Sequence, residues 1–429
     1  MTRALPTCLF IVAAGGAWAD TDADIDRAAA AVAPKVIAWR RDIHKHPELS
    51  NREMRTAALV ADHLESLGLE VERGVAHTGV VALLRGGRPG KVVALRADMD
   101  ALPVAEQTGL PFASKAKGEY MGQEVSVMHA CGHDAHTAIL MGAAEVLAGM
   151  RDSLPGTVKF VFQPAEEGAP PGEEGGAGLM VREGVLEDPP VDAIFGLHVM
   201  QSGQVGQVLY RPRGAMASAD RFEIRIQGRQ THGAMPWAGV DPIVVGAQIV
   251  TALQTIVSRR VDITSAPAVV TVGTFNAGVR NNIIPDEAVL SGTIRTFDPR
   301  VTSAVHDQVR QLSTQIGESM GATVTVTIDD GTPVTFNDPA LTDAMLPTLE
   351  RIYGAENVAE GPLVTGAEDF AFYQEKLPGF FFWVGVRSPD VPPERAIPNH
   401  SPLFDTDERA LEGGVRVMTA LAVDYLSMP

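Results

Sequence analysis

One cysteine, a scatter of histidines and an adjacent pair of glutamates are the residues of this chain whose types could bind a metal ion and move a proton. Cys131 and His133 stand two apart in His129-Ala130-Cys131-Gly132-His133-Asp134-Ala135-His136, close enough to project from one loop into one site. Thiolate sulfur and imidazole nitrogen suit borderline ions such as zinc, and carboxylate oxygen tolerates several metals. Glu167, His198 and His400 extend that donor set. Glu166 and Glu167 follow an apolar run ending at Phe162, His198 directly follows the run ending at Leu197, and His400 lies in Pro398-Asn399-His400-Ser401. Singly, each is an ordinary buried thiol, surface histidine or solvated acid; together, at the ends of expected strands or in loops, they point to a metal centre. His129 and His136 stand apart, because no distinct chemical need separates a ligand role from a packing role for either.

The paired acids imply a division of labour. Neighbouring residues of an extended or loop segment point in different directions, so Glu167 can bind metal while Glu166 faces the water to be activated. Two bound ions would lower the pKa of that water and polarise a carbonyl. Asp98 and Asp100, just past the run ending at Leu95, sit at the same kind of position.

The elements that must carry these residues are legible in outline. Residues 26–68 have a helical pattern, with Ser50 and Glu53 suggesting a capping box ahead of an apolar face at Ala57, Val60, Ala61, Leu64 and Leu67. Near-continuous apolar runs at 80–84, 92–95, 158–162, 193–197 and 380–386 suit strands buried on both faces of an α/β sheet, whose ligands gather beyond the carboxyl ends of the strands. From 206 to 330 the pattern becomes alternating, as at Phe222, Ile224 and Ile226, and the order of elements is βαββαβ, that of a ferredoxin-like sandwich. The expected fold is therefore α/β: a catalytic domain with a central, mostly parallel sheet over 20–205 and 331–429, and an inserted lid or dimerisation domain over 206–330.

The ends and the bulk composition add limits. Arg3, the apolar run from Leu9 to Ala14 and Ala17-Trp18-Ala19 form the pattern of a secretory signal peptide over 1–19, which predicts an exported, periplasmic or secreted protein. No later apolar run reaches the roughly 18 residues needed to span a bilayer, so no membrane partner is expected. With Cys8 in the leader, Cys131 is left unable to form an intramolecular disulfide, and metal ligation would occupy it. The net charge of −18 argues against a nucleic-acid partner.

Several segments, in order along nearly the whole chain, resemble one family: 39–48 (WRRDIHKHPE), 95–104 (LRADMDALPV), 129–136 (HACGHDAH), 162–168 (FQPAEEG), 196–198 (GLH), 231–237 (THGAMPW), 281–287 (NNIIPDE), 365–370 (TGAEDF) and 398–401 (PNHS). They are similar to the metal-dependent amidohydrolases typified by hippurate hydrolase and the auxin-conjugate hydrolases, within the wider group of aminoacylase and carboxypeptidase G. The resemblance implies a small-molecule N-acyl or N-aroyl amino acid as substrate and two divalent ions per subunit, manganese or zinc. It also implies a homodimer built through the inserted domain. By position, Cys131, His133, Glu167, His198 and His400 look like the ligands, with the Cys131 sulfur as bridge, and Glu166 like the general base. His232 resembles a histidine that reaches a partner's active site to steady the tetrahedral oxyanion. Asn282 and Arg295 resemble positions that bind the substrate carboxylate, for which a guanidinium fork is well suited.

Two departures qualify the match. Distant relatives have a histidine ligand where this chain has Asp98; in the branch it resembles, ligation shifts to the cysteine motif, which implies that Asp98 and Asp100 orient or support the site. The stretch 169–174 (APPGEE) is longer than the family's usual spacing after the glutamate pair, where it would reshape the acyl pocket. A dipeptidase or carboxypeptidase on the same scaffold is the nearest rival reading. A non-catalytic binding protein of the cell envelope is a rival of another kind, and it would be expected to lack a ligand or the base.

Overall fold

The computed structural model describes the backbone of residues 15–429 and the side chains from 21 onward; the charged start and apolar stretch of the expected leader lie outside the described residues. The N-terminal helical pattern divides into α1 (Gly15–Lys45) and α2 (Met54–Ser66), separated by His46-Pro47 and the turn after it. The expected capping box does not form. Ser50 donates instead to Asp100, Glu53 turns inward, and Glu48 caps α2 by accepting from the backbone N–H of Arg55 and Thr56 at 2.9 and 2.8 Å.

Strands β1 (Glu70–Val75), β2 (Gly79–Arg85) and β3 (Arg88–Asp98) follow, then the hairpin β4 (Lys117–Tyr120) and β5 (Gln123–Ser126). Next come α3 (His133–Gly149), β6 (Pro155–Gln163), α4 (Gly176–Arg182), β7 (Ala193–Gln204), β8 (Val208–Tyr210) and β9 (Arg213–Met216). A second lobe is built from β10 (Ala219–Gln227), β11 (Thr231–His232), α5 (Pro242–Arg259), β12 (Ala268–Ala277), β13 (Ile283–Ile284), β14 (Glu287–Thr296), α6 (Pro299–Ser319) and β15 (Thr323–Thr332). The chain then adds β16 (Thr335–Asn337), α7 (Pro339–Tyr353), β17 (Val358–Glu360), α8 (Ala371–Gln374), β18 (Gly379–Arg387) and α9 (Arg409–Ser427).

The large sheet has the order β1-β2-β6-β3-β7-β18-β8-β17. Its centre, β6-β3-β7-β18, is parallel, while the β1-β2, β2-β6 and β18-β8 pairs are antiparallel, so the sheet is mixed. Alternation on a doubly covered sheet explains the unbroken apolar runs. Phe380, Phe382 and Val384 of β18 enter the core beneath α1, α3 and α9, whereas Phe381 and Trp383 enter the core on the other face.

The second lobe has the four-stranded antiparallel order β12-β14-β10-β15 with α5 and α6 packed on it, which is the βαββαβ sandwich expected from sequence. The passage into it comes later than 206, because Val208–Tyr210 pair with β18 and β17 in the large sheet. On both crossings between lobes the chain runs through a short antiparallel ribbon, β9 against β16. Helix α5 is long and apolar enough by length and composition to cross a membrane, contrary to the expectation of no such segment. Its Val245, Ile249, Leu253 and Ile256 are buried in the lobe's own core.

Candidate active site

Among the described residues, the five expected ligands converge beyond the carboxyl ends of the parallel strands. Cys131, His133 and His198 each present an atom within 4.8 Å of the others, and so do Cys131, Glu167 and His400. Cys131 belongs to both triads, which places its sulfur between two potential ion positions. Sγ lies 3.3 Å from Nε2 of His198, and Nε2 of His400 lies 3.1 Å from Oε1 of Glu167.

Backbone carbonyls fix the tautomers. Nδ1–H of His133 donates to the Asp100 carbonyl at 2.8 Å, and Nδ1–H of His198 to that of Val199 at 2.8 Å, which leaves both Nε2 lone pairs for the centre. Nε2 of His133 is buried without a hydrogen-bond partner, and Oε1 of Glu167 is buried with only the Nε2 of His400 close by, outside hydrogen-bond geometry. Orphaned buried polar atoms are rare because each forfeits its hydration, and a cation would supply what these lack. Burial, reinforced by the Glu167 carboxylate, pushes the Cys131 thiol up, so a thiolate here needs compensating positive charge. One sulfur, three imidazoles and a carboxylate therefore fit two divalent ions.

The neighbouring acids hold this geometry. Asp100 accepts the backbone N–H of Glu166 and of Glu167, both at 3.0 Å, and the Ser50 hydroxyl at 2.8 Å. Glu53 accepts from the backbone N–H of Ala165 at 2.9 Å, and Ala165 has φ +54°, a left-handed conformation that a residue with a side chain adopts at a cost. That turn swings the glutamate pair off the end of β6 and into the cleft. Asp98 accepts from Nδ1 of His136 at 2.6 Å, and Nε2 of His136 accepts the Val199 N–H at 2.8 Å. Both ring nitrogens of His136 are thus engaged, and it stands outside the ligand set. His129 is buried with neither ring nitrogen hydrogen-bonded, and burial lowers its imidazole to about 3. Gly132 caps α3 at φ +100°, and Asn399 ties its loop down by donating to the carbonyls of Cys131 and Val199.

Glu166 sits beside the ligands, with Oε2 3.8 Å from Nε2 of His133. Burial first, then the carboxylates of Glu368, Glu167 and Asp369, hold its carboxyl well above the usual range. In front of it a polar cavity of about 370 Å³ is lined by Glu166, Glu167 and Asp369 from the large lobe and by Arg221, Thr293 and Arg295 from the second. A second cavity of about 160 Å³ shares Glu167 and Gly168 but is bounded by Leu49, Leu102, Tyr120, Met121 and Pro170. Arg295 thus borders the same cavity as the candidate base, its guanidinium also within 3.4 Å of the Ser218 carbonyl. His232 and Asn282 lie together on the exposed β11-β13 ladder, where the Gly233 N–H donates to the Asn282 carbonyl, and they line neither cavity.

Sequence reasoning missed two charged hubs. Arg96, fully buried in β3, donates to Asp98, Gln163, Glu368 and Asp369 at 2.7 to 3.0 Å. Arg40 and His44 of α1 both bind Asp134 at 2.8 Å, tying that helix to the start of α3. The available signal was a charge inside an apolar run, Arg96 between Leu95 and Ala97; Asp134, set among histidines, carried no such mark.

Residues 94–424 match the family described as peptidase family M20/M25/M40. Thermostable carboxypeptidase 1 of Saccharolobus solfataricus is 42% identical over 91% of this chain and 95% of its own length. N-acetylcysteine deacetylase of Bacillus subtilis is 39% identical over 91% of this chain and 97% of its own. Among solved structures, the YXEP protein of Bacillus subtilis, described as a dinuclear metal binding peptidase, is 37% identical with a TM-score of 0.77, covering 93% of this chain and 99% of that one. With a donor set shaped for two ions, a free carboxylate beside it and matches of this length, the chain belongs to peptidase family M20/M25/M40.

Proposed function

We propose that this hydrolase cuts the amide bond of N-acyl or N-aroyl amino acids, releasing a carboxylic acid and a free amino acid. The observation that carries the reading is Glu166, held by Asp100 beside two metal-type triads that share Cys131, at the mouth of a cleft bearing Arg295. Two divalent ions held by Cys131, His133, Glu167, His198 and His400 would supply Lewis acidity and a more acidic water. Manganese and zinc both suit this mixed donor set.

The chain's own groups do the rest. Glu166 takes a proton from the attacking water on its carboxylate oxygen and returns it to the leaving nitrogen. Arg295 binds the carboxylate of the amino-acid half. The apolar cavity receives the acyl group, and Pro170 of the long segment after the glutamate pair forms part of its wall. Glu173 of that segment is gripped by both terminal nitrogens of Arg52, at 2.6 and 3.0 Å, so the segment has a defined seat.

A homodimer through the second lobe belongs to the same proposal: Met235, Trp237, Ile243 and Val244 there are exposed apolar side chains next to His232, which a partner's cleft could receive. Export of the protein, read from residues 1–19, is proposed on the sequence pattern alone. The relative named as a carboxypeptidase favours free dipeptides as the second class to assay.

Glu166→Gln tests the central claim. Turnover of N-acyl amino acids should fall by roughly 10²–10⁴-fold while metal content stays at the wild-type level. Retained turnover removes the proposed base, and failure of the wild-type enzyme on every N-acyl amino acid removes the proposed substrate class.

A further inference from the structure

At the base of the second lobe, on a strand pair that also borders the cavity in front of Glu166, lies another cluster with the chemistry of a cation site. Asp220 of β10, His306 of α6 and Asp330 of β15 each offer an atom within 4.8 Å of the others. They border a cavity of about 350 Å³ whose far wall, at Phe336 and Gln374, belongs to the large lobe. The cluster therefore sits where the chain passes between lobes.

Two features separate it from a chance meeting of acids. His306 is 7% exposed, and its Nε2 is buried without a hydrogen bond although Oδ2 of Asp220 is 3.4 Å away. An ion about 2.0 Å from the nitrogen and about 2.1 Å from the oxygen would bridge that gap at an angle of about 110°, the tetrahedral preference of zinc. The second feature is a bulge. Arg221 pairs with Asp329 and Ala219 with Thr332, so Asp220 alone opposes both Asp330 and Gly331. An extra residue in one strand re-aims the side chains around it, and here it turns Asp330 toward the ring, with Oδ1 3.4 Å from Nδ1 of His306. Gly331 is needed for it, since a Cβ there would collide with the Ala219 carbonyl. The Ser218 hydroxyl donates to Oδ2 of Asp220 at 2.9 Å and fixes that carboxylate, while Asp330 is 80% exposed and free to close on an arriving ion.

We infer that Asp220, His306 and Asp330 form a third divalent-cation site, of the zinc class, that staples the first and last strands of the second lobe to α6 beside the interlobe passage. The ion would bind Nε2 of His306 and an oxygen of Asp220; the exposed Asp330 carboxylate, which stands nearer Nδ1, would rotate around the ring edge to add its oxygen, with water from the open cavity completing the shell.

Metal stoichiometry tests this on the full-length enzyme. Protein equilibrated with Zn²⁺ and freed of unbound ion should carry three ions per chain by elemental analysis, and His306→Gln and Asp330→Asn should each carry two. The exposed Asp330 makes its variant a safe check should His306→Gln fold poorly. A wild-type count of two, or a count unchanged in both variants, overturns the site and shows His306 to be only an ion-pair partner of the two aspartates. Cys131→Ser separates the two readings, because it should remove ions from the other centre and leave one behind at this one. A chain that retains none after Cys131→Ser also overturns the third site.

Discussion

Arg96 is a guanidinium with no access to water, and three carboxylates face it: Asp98, Glu368 and Asp369. Removing one member of such a cluster leaves the others charged and dry, which is costlier than never having buried them. Arg96→Met should therefore lose about 3–5 kcal/mol in chemical denaturation. His44 makes a pH-dependent contribution. Burial works against its charge, but Asp134 and Glu106 outweigh that and raise the imidazole to about 9. Because the folded value lies above the ordinary one near 6.5, the stabilisation is complete below about pH 6.5 and fades as pH rises through about 9. Denaturation at about pH 6 and pH 9.5 should show wild type losing up to about 3 kcal/mol more than His44→Gln. Equal losses would dissociate His44 from the effect. At this scale the ligand types were legible because sulfur, imidazole and carboxylate have few other reasons to gather. The hubs were not, since nothing local to Arg96 or Asp134 tells which distant charges will meet it; Glu368 is separated from Arg96 by most of the chain.

Helix α3 starts where the site needs it because Gly132 takes φ +100°, which lets Cys131 and His133 flank the turn. A side chain at 132 would also press on Val199, the residue beside His198. Gly132→Ala should cost about 2–4 kcal/mol and lower metal retention together, read by denaturation and elemental analysis on the same sample. A variant that loses stability but keeps its ions would limit the glycine to a folding role. Elements were readable from periodicity wherever both faces of a strand are buried, as in β6 and β18. The start of α2 was misread, because Ser50 and Glu53 have the spacing of a capping box while tertiary partners, Asp100 on one side and Thr78 and Ala165 on the other, compete successfully for both side chains. A local motif says what a side chain can do within its own helix and nothing of what else comes within reach.

The two lobes meet across the cleft with chemistry on one wall and Arg295 on the other. If that guanidinium holds the substrate carboxylate, Arg295→Gln should raise KM for N-acyl amino acids roughly 10- to 100-fold. The corresponding amino-acid amides, which lack the charge, should be nearly unaffected. A uniform rise for both would place Arg295 in the architecture of the lobe instead. The order βαββαβ was visible from sequence, and so was a His232 meant for a partner's site and standing outside its own cleft, whereas the separation of Asn282 from the cleft was not, because lobe orientation depends on contacts that no repeat or spacing encodes.

The ribbon of β9 and β16 governs how that gap can change. Met216 is bonded across to Thr335 and Arg213 to Asn337, so the two connections travel side by side as one strip. A strip of paired strands resists sliding along its length and yields most readily to flexing out of its plane. Any parting of the lobes would therefore be expected to follow the flexing of this one strip, as in the jaws of tongs, and so to bring Arg295 back to the same wall of the cavity it shares with Glu166.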